Sequence, residues 1–137
     1  MKLLDSTVLV DIDRGGIDRK VRVLDEEGRH AISMVSITEL RLGVHLQYER
    51  GTRAHREAMV GIERLLARFE IVPISRRVAT AAADIIATLK EDGAPLHDLH
   101  DVYIAATART EQLPVLTGNV SHFERIDDLR VVDWSSF

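Results

Sequence analysis

Apolar residues along this chain follow two alternating rhythms. Short, almost wholly apolar runs occur at Lys2–Leu4, Ala31–Val35, Ile71–Ile74, Val115–Thr117 and Leu129–Val132. Runs of this length without internal alternation predict strands buried on both faces. Between them lie longer segments whose apolar positions recur at three- and four-residue spacing. These predict helices over Val8–Ile12, over Val21–Glu27, from Ser36 to about Tyr48, from Thr52 onward, and over Arg76–Glu91. In the fourth, Ala58, Ile62, Leu65, Leu66 and Phe69 form one stripe; in the fifth, Val78, Ala82, Ile85, Ile86 and Leu89 point inward. Gly15-Gly16, Gly28, Gly93 and Pro95 punctuate the pattern, and Pro73 marks a strand end or a sheet edge.

One segment breaks the amphipathic rule. Asp98-Leu99-His100-Asp101-Val102-Tyr103-Ile104-Ala105-Ala106-Thr107-Ala108 is small or apolar on nearly every side after its first turn, so a helix here is predicted to be buried all round. Its first turn places Asp98 and Asp101 on one face, because residues i and i+3 are neighbours. Strands and helices that alternate in this way predict an α/β fold. The sheet is short and parallel, of about five strands, and helices cover both of its faces.

The chain has 137 residues, which suits one domain, 1–137, with a sizeable core. No internal repeat, low-complexity segment or linker interrupts it. Cys is absent, which removes disulfides, a zinc ribbon and a thiol nucleophile from consideration and agrees with a reducing compartment. The opening Met1-Lys2-Leu3-Leu4-Asp5 meets an acid too early for a signal h-region. No apolar run approaches the roughly 20 residues that cross a bilayer. A cytoplasmic protein without membrane partners is the expectation. The net charge of −4 offers nucleic acid no bulk attraction, so such binding would need bound cations or local basic groups.

The acids change the picture. In open α/β sheets ligands bind beyond the carboxyl ends of the strands. Asp5 directly follows the first strand, Glu39 lies just past the second, and Asp98 and Asp101 open the helix before the fourth. Thr117, Gly118 and Asn119 close that fourth strand. Carboxylates gathered without a Lys are unfavourable unless protons or a cation neutralise them. Oxygen donors of this kind suit Mg²⁺ or Mn²⁺. Plainer roles stay open for each residue. Asp5 and Asp98 are good helix caps, and Asn119 suits a cap of the turn Val120–Phe123. Glu39 completes Ser36-x-x-Glu39, a capping box in which its carboxylate would bond the Ser36 N–H. His97, His100 and His122 are not at metal-site spacing and read as rim residues; Arg50, Arg53 and Arg56 read as a solvated face.

Taken in order, these segments resemble the PIN-domain ribonucleases of the VapC toxin type. Leu3-Leu4-Asp5-Ser6-Thr7-Val8-Leu9-Val10 resembles the opening strand and first acid of that family. Ser33-Met34-Val35-Ser36-Ile37-Thr38-Glu39-Leu40-Arg41-Leu42-Gly43 resembles the second-acid segment. Asp101-Val102-Tyr103-Ile104-Ala105-Ala106-Thr107-Ala108 is similar to the third-acid helix. Leu116-Thr117-Gly118-Asn119-Val120-Ser121-His122-Phe123 resembles the closing motif, and Val132-Asp133-Trp134 the usual ending. Each piece alone is weak; the ordered set is specific and covers the chain.

The resemblance implies a PIN-like three-layer α/β/α fold and magnesium-dependent hydrolysis of RNA, with manganese as the alternative ion. It implies Asp5 and Asp101 as metal ligands, with Glu39 holding the metal or orienting water. Asp98 would be a ligand or a supporting base, and Ser6, Thr117 and Asn119 would position these groups or touch substrate phosphate. A small antitoxin covering the acidic groove and a homodimer are the implied partners. Asn119 departs from the pattern, since many relatives carry an acid there; Asp98 is the residue placed to compensate. Asn119 is also what favours the main rival, a PIN-like RNA- or protein-binding module with a weakened site. A haloacid-dehalogenase-like phosphatase would need Asp-x-Asp where Asp5-Ser6-Thr7 stands, and a receiver domain a Lys near Thr117-Gly118-Asn119; neither is present.

Overall fold

The structure, a computed structural model, describes residues 1–94 and 98–137. Pro95 and His97 lie outside the described residues. The elements run β1 (Leu3–Leu4), α1 (Ser6–Arg14), α2 (Asp18–Glu26), β2 (Ala31–Ser33), α3 (Met34–Gln47), α4 (Arg53–Leu66), β3 (Glu70–Val72), α5 (Arg76–Glu91), α6 (Leu99–Glu111), β4 (Val115–Thr117) and β5 (Val131–Asp133). Short 3₁₀ turns cover Val120–His122 and Trp134–Ser136.

All strand pairings are parallel, in the order β3-β2-β1-β4-β5. Successive strand residues face opposite sides of the sheet, and the two cores divide on that alternation. Leu3, Ala31 and Val115 pack with α5 and α6 residues such as Val78, Ile85, Val102 and Ala105. Their neighbours Leu4, Ile32 and Leu116 pack with Leu9, Leu24, Leu40, Ile62 and Trp134 from the α1–α4 side. This is the expected three-layer α/β/α arrangement. From Val102 through Ala108, α6 is buried except for half-buried Tyr103, because it lies between α5 and the sheet.

The chain order reverses at β1, which leads to β2 on one side and has β4 on the other. Such a switch point opens a crevice at the strand carboxyl ends. Asp5 and Thr117 stand there on adjacent strands, and the Asp5 N–H donates to Leu116 O at 3.0 Å.

One boundary differs in a way that matters. The sequence pattern extends β2 to Val35 and starts the next helix at Ser36. In the structure β2 ends at Ser33, whose Oγ accepts the Val35 N–H at 3.2 Å and caps α3. Ser36 is therefore already helical and fully buried, and its Oγ has no hydrogen-bond partner among the described residues. The Ser36–Glu39 capping box does not form. β3 ends before Pro73 and is a sheet edge, in keeping with the missing N–H of proline. Arg50, Arg53 and Arg56 are exposed, as the solvated-face reading requires.

Candidate active site

Asp5 is 2 % exposed and bonded on both oxygens. Oδ1 accepts the Thr7 N–H at 3.0 Å, the Val8 N–H at 3.4 Å and the Thr7 hydroxyl at 2.6 Å. Oδ2 accepts the hydroxyl of Thr117 at 2.6 Å. Asp5 thus caps α1 as the plain reading held, yet it does so facing the crevice. Thr117 Oγ1 also accepts the Asn119 N–H at 2.8 Å, and Thr7 Oγ1 accepts the Gly118 N–H at 2.9 Å. Residue 118 is glycine for a visible reason: a Cβ there would stand 3.2 Å from Thr7 Oγ1. This lattice locks the loop after β4 onto the start of α1.

Glu39 is half-buried, well inside α3, and its Oε1 accepts the Ser6 hydroxyl at 2.7 Å. Asp98 caps α6, accepting the His100 N–H at 2.8 Å, with His100 Nδ1 at 3.3 Å. Asp101 sits in the first turn of α6, and His122 Nδ1 lies 2.8 Å from its Oδ2. Asn119 precedes the 3₁₀ turn but makes no side-chain cap there, so its amide is exposed at the crevice rim.

Burial pushes the Glu39 carboxyl above its usual range; the Ser6 hydroxyl and His100 oppose the shift, whereas Asp98 and Asp101 add to it. Burial likewise raises Asp101, with the His122 bond opposing and Asp98 and Asp5 adding. Glu39 therefore feels the charges of Asp98 and Asp101, and Asp101 those of Asp98 and Asp5. Among the described residues no Lys or Arg pairs with any of the four acids, and no three or more acidic or histidine side chains stand close enough together to hold a metal ion. An all-oxygen, partly buried and mutually repelling set still fits Mg²⁺, which typically binds one or two carboxylates and keeps waters for substrate phosphates.

Two contributors escaped sequence reading. Thr7 supports Asp5, and the signal was available, since an Asp two residues before a Thr at a helix start favours this local bonding. His122 reads as a rim residue, and its side chain, 46% exposed, also contacts Asp101. No local pattern announces that contact, because the two are brought together only by the packing of the β4 loop against α6. His97 lies outside the described residues.

The PIN domain family profile matches residues 2–129. The chain is 32% identical over 133 residues to Ribonuclease VapC1 of Methanocaldococcus jannaschii, covering 96% of this chain and 86% of the relative. It is 33% identical over 109 residues to the tRNA(fMet)-specific endonuclease VapC of Shigella flexneri, covering 80% and 78%. The DNA-bound VapBC from Salmonella typhimurium superposes with a TM-score of 0.85 at 25% identity, covering 98% of this chain and 99% of that one. A five-stranded parallel sheet in this order, the acids at its switch point and the span of these matches agree: the chain belongs to the PIN-domain family, and within it to the VapC type.

Proposed function

We propose that the protein is a divalent-cation-dependent endoribonuclease, the toxin of a VapBC-type toxin–antitoxin pair, using Mg²⁺ or Mn²⁺. The observation that carries this reading is that Asp5, Glu39, Asp98 and Asp101 come from separate segments to the carboxyl ends of the strands, where burial, Asp98 and Asp101 raise Glu39 and burial, Asp98 and Asp5 raise Asp101. Structural capping explains Asp5 and Asp98 singly; it does not explain half-buried Glu39 and buried Asp101, each under the charge of other acids.

Asp5 and Asp101 would hold the cation. When bound, it supplies charge neutralisation at the scissile phosphodiester and lowers the pKa of water. Thr7 and Thr117 fix the Asp5 carboxylate, and Ser6 fixes Oε1 of Glu39, leaving Oε2 to orient and deprotonate the attacking water. An upward-shifted carboxylate is a better base near neutrality than an ordinary one. Asp98, exposed at the mouth, supports the cation or the water, and Asn119 faces substrate phosphate. One PIN domain over 1–137 carries the activity in the cytoplasm. Its partners are RNA, a second copy of the chain, and a small antitoxin that covers the acidic groove. Among the described residues no helix is long and apolar enough to cross a membrane.

Purified protein incubated with total cellular RNA is expected to cut it with Mg²⁺ or Mn²⁺ and to stop when chelator is added. Asn119, an amide at the rim, favours the second reading, a binding module. RNA retained but uncut under every cation would establish that reading and reject the enzyme.

A further inference from the structure

We infer that the groove running from Glu39 between α1 and α3 is a nucleobase subsite, seating an unstacked base of substrate RNA beside the bond to be cut. The inference rests on the ribonuclease reading and extends it to how substrate is held. The groove encloses about 310 Å³, at the small end of the ~300–1,000 Å³ typical of small-molecule sites. Glu39 is part of its lining and is also one of the crevice acids, so the groove adjoins the acid crevice at that residue. Tyr48 and Gln47, at the end of α3, and Asp13 and Arg14, at the end of α1, complete the polar and aromatic lining.

Gly43 is the second observation. It lies in the interior of α3, where glycine is among the least favourable choices for a helix. It is exposed, and no atom from elsewhere in the chain lies within 4 Å of where its Cβ would stand. Internal packing therefore does not account for it, whereas close approach of a ligand along the groove does. The chemistry of the lining selects a base over a phosphate. The carboxylates of Asp13 and Glu39 outnumber the single guanidinium of Arg14 in the lining, which disfavours phosphate there. An aromatic ring with an adjacent amide, which both donates and accepts, is the usual means of holding a splayed-out base.

Two variants and one probe set test this. Gly43→Leu fills the groove with a better helix former, so its melting temperature is expected at or above the parent value. Tyr48→Leu removes the ring and keeps an apolar side chain for packing. Each is expected to raise KM for a short single-stranded RNA about tenfold or more, with the loss falling on KM more than on kcat; loss of one base–aromatic stack corresponds to roughly 5- to 150-fold. The four ribonucleoside 5′-monophosphates, titrated into the parent, are expected to shift the backbone amide resonances of Gly43, Gln47 and Tyr48. A folded Gly43→Leu protein that cuts the same RNA with the parent KM overturns the inference and leaves the groove to a protein segment. A parent that cuts RNA while no monophosphate perturbs the groove also overturns it. A parent that binds monophosphates at the groove and cuts no RNA keeps the subsite and rejects the ribonuclease reading instead.

Discussion

The two edges of the sheet treat buried polar groups in opposite ways. At the amino edge, His30 is 3% exposed and has both ring nitrogens engaged. Nδ1 accepts the Lys2 N–H at 3.0 Å, and Nε2 donates to Leu24 O at 2.9 Å. Lys2 Nζ pairs with Glu27, and Arg29 donates to Phe69 O at 3.1 Å. Each group there meets a complementary one within the chain. At the carboxyl edge Glu39 faces the charges of Asp98 and Asp101, and Asp101 faces those of Asp98 and Asp5. Hydroxyls and His122 hold some of their oxygens, but no Lys or Arg among the described residues balances the charge. Complementary burial is sufficient reason for a group to exist; like-charge burial costs stability and requires a partner from outside the fold. The first edge is structure, and the second is where we propose the site.

The largest expected effect breaks the second edge. Asp5→Asn or Asp101→Asn is predicted to reduce chelator-sensitive RNA cleavage at least about a hundredfold, some 2.7 kcal/mol of barrier. Folding should survive. Asn caps a helix as well as Asp does, and the Thr117 hydroxyl can turn to accept from an amide at position 5 because it has two lone pairs. Rate measurements alongside thermal melts decide the matter; a variant cutting at the parent rate removes its residue from the cation site.

The matching change at the amino edge should do the reverse. His30→Ala strands the Lys2 N–H and the Leu24 carbonyl. It is expected to lower stability by about 2 kcal/mol, within the range for unsatisfied buried groups. Cleavage measured below the melting transition should be unaffected, since His30 lies at the other end of the strands. Loss of activity in well-folded His30→Ala would erase the contrast between the edges.

Glu39 sharpens the contrast within the site. Glu39→Gln keeps an acceptor for the Ser6 hydroxyl but can neither supply charge nor take a proton. Cleavage should fall at least tenfold, roughly 1.4 kcal/mol of barrier, while the melting temperature in chelator stays near the parent value. Full activity with unchanged stability would return Glu39 to a structural role.

Much of this was legible in the residues. Apolar runs separated by helical periodicity gave the layers and the strand count, because burial on both faces leaves little room for other patterns. Asp5 and Asp101 followed from their place at strand and helix ends. For Glu39 the sequence leaves two roles open, a capping-box carboxylate and an acid of the crevice, and the structure removes the first. Met34 and Val35 look like strand residues, so the sequence pattern starts the helix at Ser36, where Glu39 falls at the capping-box position. The Ser33 hydroxyl starts the helix earlier and carries Glu39 past the cap into contact with Ser6. Contacts across the chain, such as His122 with Asp101, depend on packing that no local window contains.

The smallest expected effect is a slope, and it tests the like-charge argument directly. Burial raises Glu39 and Asp101 above ordinary carboxylate values in the folded protein. The folded state then holds those protons more tightly than the unfolded state does. Stability therefore declines as pH climbs from the unfolded value through the raised folded value, and the penalty is complete above it. A cation bound between the acids relieves that penalty, and it does so only where the carboxylates are charged. Mg²⁺ or Mn²⁺ should thus raise the melting temperature at pH 7 and do progressively less as the pH is lowered through and below the ordinary carboxylate range, where protons neutralise the pair. At a cation concentration equal to its dissociation constant the gain is about 0.4 kcal/mol, so scans across a tenfold concentration series are needed to see it. The double substitution Glu39→Gln with Asp101→Asn should remove much of the pH slope and the cation response together. Equal cation stabilisation across that pH range would show that the ion binds away from these acids, and the carboxyl edge would lose its claim to be the site.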